Sequence, residues 1–196
     1  MISQTKSENQ RPVINIGVIA DTHIPDRLPK LHPGILDLLQ SQGVSQILHA
    51  GDICTPRVLE DLAQIAPVVA VKGNRDFIFK DNLPLVQYFQ VNGWQIALMH
   101  GSGTHREYWR DKWQYVLHGY RIERYKTLVL QTAPAAQIIV FGHTHRSLNQ
   151  WVNGRLLFNP GSASFGPPEG GLPTLGLLRF HVDGTVSGEI LPVMAE

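Results

Sequence analysis

The stretch Ile14-Asn15-Ile16-Gly17-Val18-Ile19-Ala20-Asp21-Thr22-His23 is a β-branched apolar run that gives out into a polar turn carrying a carboxylate and an imidazole. Four more short runs follow the same plan. Residues 46–50 lead into Gly51-Asp52, 68–72 into Gly73-Asn74-Arg75-Asp76, 94–99 into His100-Gly101, and 137–141 into Gly142-His143-Thr144-His145. Runs this short and this continuously apolar read as strands buried on both faces. Between the first two, residues 32–42 place Ile35, Leu36, Leu38 and Leu39 at helical spacing, with Pro33 in the first turn and Gly43 at the stop. Between the second and third, residues 55–66 repeat the pattern with Val58, Leu59, Leu62 and Ile65, Thr55 as N-cap and Pro56 in the first turn. Strand, helix, strand, helix, strand implies parallel pairing through right-handed crossovers.

Beyond residue 80 the signal changes to hairpins. Asn92-Gly93 separates residues 85–91 from 94–99, Asn153-Gly154 separates 151–152 from 155–158, and Asp183-Gly184 separates 175–181 from 185–191. The C-terminal third is therefore expected to be mostly antiparallel, and both strand types in one α/β chain predict two packed sheets with helices outside. A length of 196 residues fits one domain. Residues 1–11 are expected to be a flexible terminus and residues 12–196 the domain, with a helical excursion at about 104–132.

Hydrophobic residues at 43% and charged residues at 17% exclude a disordered chain. No apolar run reaches the ~18 residues of a membrane span, and the opening MISQTKSENQRP lacks a secretory apolar core, so a cytoplasmic protein is expected. Cys54 stands alone, and a net charge of +1 provides no broad field for long nucleic acid or an anionic membrane.

The carboxyl ends of parallel strands in an α/β sheet face one crevice, so the five strand-end turns can converge although they span more than a hundred positions. Two carboxylates, one amide and four imidazoles, with no thiolate, form a donor set for Mn, Fe, Ni, Co or Zn. That is more than one ion uses. Two divalent ions sharing a bridging carboxylate is the economical arrangement, and such pairs serve phosphate ester hydrolysis. The motifs G-x-x-x-x-G-K-[ST], H-E-x-x-H and G-x-S-x-G are absent.

The ordered series D-x-H, G-D, G-N, H-G and G-H-T-H resembles the calcineurin-like metallophosphoesterases, most closely the small bacterial and archaeal YfcE-type phosphodiesterases, from Asp21 to the strands after His145. The resemblance implies a four-layer α-β-β-α sandwich of two mixed sheets. It implies one metal on Asp21, His23, Asp52 and His145 and a second on Asp52, Asn74, His100 and His143, with Asp52 bridging and manganese the favoured ion. The implied reaction is attack of a metal-bridging hydroxide on a small, nucleotide-like phosphate ester, with Asp52, Asn74, Arg75 and His100 in the catalytic set. Two divalent ions against Asp21 and Asp52 leave a positive site that suits a phosphodiester better than a doubly charged monoester. A homo-oligomer is compatible with this reading. The competing expectations are an inactive scaffold of the same fold, similar to the small subunit of the retromer coat, or a nuclease.

Many larger members of the family carry His after the motif Asn, where this chain has Arg75. A guanidinium cannot act as general acid, but it can hold phosphate through paired hydrogen bonds; pairing with Asp76 is the alternative. His49 reads as a packed histidine, His32, His118 and His181 as surface or capping residues, Cys54 as a small buried filler, and His105 as a surface residue or a substrate contact. Thr104-His105-Arg106-Glu107 fits a capping box, and Tyr108, Trp109 and their basic neighbours open a segment that reads as a packed helix pair or as a cap contacting a nucleotide base.

Overall fold

The computed structural model describes residues 13–79, 82–103, 113, 117, 119–164 and 171–194. The capping box at residues 104–107, His105, Tyr108, Trp109 and His118 lie outside the described residues, as does the expected flexible terminus. In chain order the elements are β1 (Ile14–Ile19), α1 (Pro33–Ser41), β2 (Gln46–His49), α2 (Pro56–Ala63), β3 (Val68–Ala70), β4 (Val86–Val91), β5 (Trp94–Met99), α3 (Ile122–Thr132), β6 (Ile138–Val140), β7 (Leu148–Val152), β8 (Arg155–Asn159), β9 (Thr174–Phe180) and β10 (Val186–Pro192).

They form two mixed sheets, ordered β10-β9-β1-β2-β3 and β4-β5-β6-β8-β7. In the first, β1, β2 and β3 are parallel and the β9–β10 hairpin adds antiparallel to β1. In the second, β5, β6 and β8 are parallel, with β4 and β7 antiparallel at the edges. The C-terminal third is thus less antiparallel than expected: β8 is half of a hairpin, yet its other edge pairs parallel with β6.

Side-chain alternation builds the layers. Ile16, Val18, Leu48, Ile96, Leu98, Ile138, Val140, Leu156 and Phe158 share one core between the two sheets. Their strand neighbours Ile19 and Ile47 face outward onto Ile35 and Leu39 of α1 and Val58 and Leu62 of α2. On the other side Ala97, Ile139 and Leu157 meet Val129 of α3. The order helix, sheet, sheet, helix is the expected sandwich.

The helix ends differ in detail from their sequence signals. His32 caps α1, its Nδ1 accepting from the Gly34 N–H at 3.2 Å, whereas Thr55 precedes α2 without a side-chain cap bond. The expected core strands overrun the observed β3 and β6 by one or two residues, because the chain leaves the ladder there to enter the strand-end turns. Asn92-Gly93 and Asn153-Gly154 both take left-handed backbone, as a two-residue hairpin turn requires. Only Gly184 does so in the third hairpin, where the Asp183 carboxylate accepts from the Thr185 N–H and hydroxyl.

Candidate metal centre

Among the described residues, eight non-glycine positions have positive φ, and six of them are Asp21 (54°), His23 (49°), Asp52 (55°), Cys54 (69°), His143 (68°) and His145 (57°). Left-handed backbone is uncommon for such residues, and its concentration at three strand ends marks turns held in shape by what surrounds them. Each i, i+2 pair is thereby folded back so that both side chains face the crevice.

Asp21, His23 and His145 come together first. The His23 and His145 Nε2 atoms lie 3.1 Å apart, and Asp21 Oδ1 lies 3.9 Å from the former and 3.6 Å from the latter. Beside them, His100 Nε2 lies 3.0 Å from Asn74 Oδ1 and 3.5 Å from Asp52 Oδ1, and the His143 ring stands edge-on to the His100 ring at 5.1 Å. Asp52 spans both groups, because its other oxygen, Oδ2, is 3.7 Å from His23 Nε2. All seven residues read from the sequence as metal ligands thus meet in one place.

Donor atoms about 2.1 Å from a common ion, at angles near 90° to 109°, lie about 3.0 to 3.4 Å from one another. The observed spacings are at or slightly beyond that range. Asp21 and Asp52 are 0% and 3% exposed, and Asp21 Oδ1 has no hydrogen-bond partner. Ionising a carboxyl this buried is costly, and a cation bound between the two would offset that cost. Burial raises the pKa of both carboxyls. Burial, with Arg27 adding to it, also lowers His23 to about 2 and His145 to about 4, leaving both imidazoles neutral, the form that can ligate a metal. Burial pulls His100 down too, but the Asp52 and Asp21 charges outweigh it and its pKa is raised. His100 Nδ1 lies 2.8 Å from the Ala50 carbonyl, which can only accept, so that nitrogen carries the proton and Nε2 is turned toward Asn74 and Asp52. The donor set therefore fits divalent metal.

Several residues that fasten this centre were not legible as site residues. The Asp76 carboxylate accepts from the N–H groups of Ile53, Cys54 and Gly73, each at 2.7 Å, tying the Asp52 turn to the Asn74 turn. The hydroxyls of Ser162 and Ser164 donate to the Asp21 carbonyl at 3.1 and 2.9 Å, and Asn159 Nδ2 donates to the Gly142 carbonyl at 2.8 Å. The signal for these was present: Asn159-Pro160-Gly161-Ser162 is a sixth strand followed by a small polar cluster, at the end of β8. Arg27 is also at the site, its Nη1 3.3 Å from His145 Nδ1.

Arg75 departs from the Asp76 alternative. Its backbone N–H donates to Asp52 Oδ1 at 2.8 Å and its Nε to Asp26 Oδ2 at 3.1 Å, while Asp76 is fully buried on backbone amides. His49 is packed as expected: Nδ1 accepts from the Gly51 N–H and Nε2 faces the Thr22 hydroxyl, both at 3.2 Å. Cys54 is only half-buried, a correction to the filler reading. Its Sγ lies 3.8 Å from Asp26 Oδ2 and 4.0 Å from His23 Nδ1, and burial with the nearby carboxylates pushes the thiol up to about 12.

The model of the calcineurin-like phosphoesterase superfamily domain matches residues 14–183. A probable metallophosphoesterase of Methanothermobacter thermautotrophicus is 35% identical over 147 residues, covering 75% of this chain and 76% of that protein. The phosphodiesterase MJ0936 of Methanocaldococcus jannaschii is 24% identical over 169 residues, or 84% and 92% of the two chains. The crystal structure of Chaetomium thermophilum Vps29 superposes with a TM-score of 0.66 at 22% identity, covering 91% of this chain and 97% of that one, which is a likeness of fold. The length of the family match and the identity to the archaeal relative agree with the donor set, and the chain belongs to the calcineurin-like phosphoesterase superfamily.

Proposed function

We propose that this protein is a dimetal phosphodiesterase. The observation that carries the reading is Asp52, whose Oδ1 faces His100 and whose Oδ2 faces His23, so that one buried carboxylate addresses two groups of donors at once. Asp21, His23, Asp52 and His145 would hold one ion, and Asp52, Asn74, His100 and His143 the other. Divalent ions bound there supply Lewis acidity toward phosphoryl oxygens and acidify coordinated water.

The chain's own part is positioning and charge. Asp76, Ser162 and Ser164 lock the turns that carry the donors, so the site is preorganised before substrate arrives. Arg27, with Nη1 at 3.3 Å from His145 Nδ1, and Arg75, with its backbone N–H on Asp52 and its Nε on Asp26, are cations close enough to serve a phosphate group. Two carboxylates against two divalent ions leave a positive site, which favours a singly charged diester over a doubly charged monoester. The phosphodiesterase name of one relative supports the same choice, and the intact donor set supports hydrolysis over a scaffold role.

The test strips metal with a chelator, restores Mn, Fe, Ni, Co or Zn separately, and measures hydrolysis of bis(p-nitrophenyl) phosphate and p-nitrophenyl phosphate. Restored turnover with the diester ahead, two ions per chain, and loss of both in Asp52→Asn are expected. No hydrolysis with any ion, or full activity with one ion per chain, would overturn the reading.

A further inference from the structure

A second concavity adjoins the metal centre. Leu85, Val86, Met99 and Leu128 line a cavity of about 150 Å³ between the start of β4, the end of β5 and α3. His100 lines it as well, and so belongs both to the cavity and to the donor group around Asp52. Gly101 and Gly103, with φ of 93° and 69°, form part of the wall without side chains, and Ser102 between them lines it as well. Among the described residues of the lining Lys72 is the one with a formal charge, and Thr132 stands at its helical side.

We infer that this cavity receives an apolar ring carried on the phosphorus or its ester oxygen, making the preferred substrate an aryl or similarly apolar phosphoester rather than the nucleotide expected from the aromatic-rich segment. The phosphoesterase reading locates the phosphate, and this inference rests on it together with three further observations. Continuity comes from His100, which lines the cavity and whose Nε2 stands 3.5 Å from Asp52 Oδ1, so a single residue joins the cavity to the donor group. Size comes next, because an engineered apolar cavity of about 150 Å³ takes up benzene. Chemistry is the third: Leu85, Val86, Met99 and Leu128 make the exposed wall mostly apolar, offering contact and desolvation to a ring, with Lys72, Ser102 and Thr132 as polar members beside them.

The test compares binding of benzylphosphonate and methylphosphonate, which share a charge and cannot be hydrolysed, to the manganese-loaded protein by calorimetry. Benzylphosphonate should bind at least tenfold more tightly. Leu128→Trp fills the cavity from a half-buried position and Thr132→Trp from an exposed one, so the second keeps the test valid if the first unfolds. Either should bring the ratio near one while methylphosphonate affinity and metal content stay unchanged. Equal binding of the two ligands by the parent protein, or a ratio unmoved by both variants, overturns the inference. Tight, cavity-dependent benzylphosphonate binding without hydrolysis under any metal would instead retain the cavity and remove the enzymatic reading. Turnover without selectivity would do the reverse.

Discussion

Arg75 pairs with Asp26, Nε to Oδ2 at 3.1 Å, and not with Asp76 beside it in the chain. Both side chains are substantially exposed, at 48% and 39%, so the pair contributes at most about 1 kcal/mol and the guanidinium can exchange it for a phosphate at little cost. A charged hydrogen bond to a bound anion is worth about 1.5–3 kcal/mol. Arg75→Ala should therefore lower kcat/KM for a diester about 10- to 100-fold with metal content intact, and Arg75→Lys should recover little of it because lysine lacks the planar fork. Steady-state kinetics beside metal analysis decide; an Arg75→Ala enzyme within twofold of the parent would leave Arg75 without a substrate role.

Gly73 is where the Asn74 turn passes over Asp52. A Cβ at Gly73 would clash with the Asp52 amide nitrogen, a backbone contact that no rotamer change can relieve, and with Oδ1 of the carboxylate proposed to bridge the two ions. Gly73→Ala should displace the Asn74 turn from Asp52, cut turnover at least 100-fold and lower metal occupancy, even where circular dichroism shows the fold retained. Normal occupancy and normal turnover would mean that the two turns are less tightly joined than the Asp76 bonds indicate.

The strands that carry donors were legible because each breaks its apolar run at a polar residue, as at Ala20-Asp21 and Phe141-Gly142-His143. Pattern also supplied two packed sheets with helices outside, in keeping with the apolar residues on both faces of β2 and β6, and the resemblance supplied the four-layer sandwich. The parallel partner of β8 was not legible: a turn such as Asn153-Gly154 specifies only the edge facing its own hairpin. The contacts made by Asp26, Arg27, Asp76, Ser162 and Ser164 were not legible for a related reason, although Asp76 was named as a partner for Arg75. Asp76 bonds residues 22 and 23 positions away and Ser164 one 143 positions away, distances over which spacing in sequence carries no geometric information.

His49 links pH to stability through a residue outside the donor set. Burial, with a smaller effect from His100, lowers its pKa from 6.5 to about 3. Its Nδ1 already accepts from the Gly51 N–H, so a proton added there would oppose that donor. The folded-state pKa lies below the unfolded one, so the neutral ring's contribution is complete above pH 6.5 and declines as pH falls toward about 3. One proton corresponds to a slope of up to about 1.4 kcal/mol per pH unit. Denaturant titrations of the metal-loaded protein between pH 7 and pH 5 should show stability falling more steeply for the parent than for His49→Asn, whatever their absolute stabilities. Parallel slopes would remove His49 as the source.

The leaving group tests what Arg75 cannot do. Arginine stays protonated at any working pH and supplies no proton. Around it, burial and the nearby carboxylates hold the Cys54 thiol at about 12, far above the near-neutral range of an efficient general acid, and the Asp26 carboxylate is engaged with Arg75 Nε. General acid assistance is worth about 10² to 10⁴ in rate, so its absence should appear as strong discrimination by leaving-group pKa. Across methyl aryl phosphates with aryl alcohols of graded acidity, log kcat/KM should fall steeply as the alcohol pKa rises, and simple alkyl diesters should react orders of magnitude more slowly. A flat plot would show that a proton donor is present, and His105, five positions after His100, is the first residue to replace in finding it.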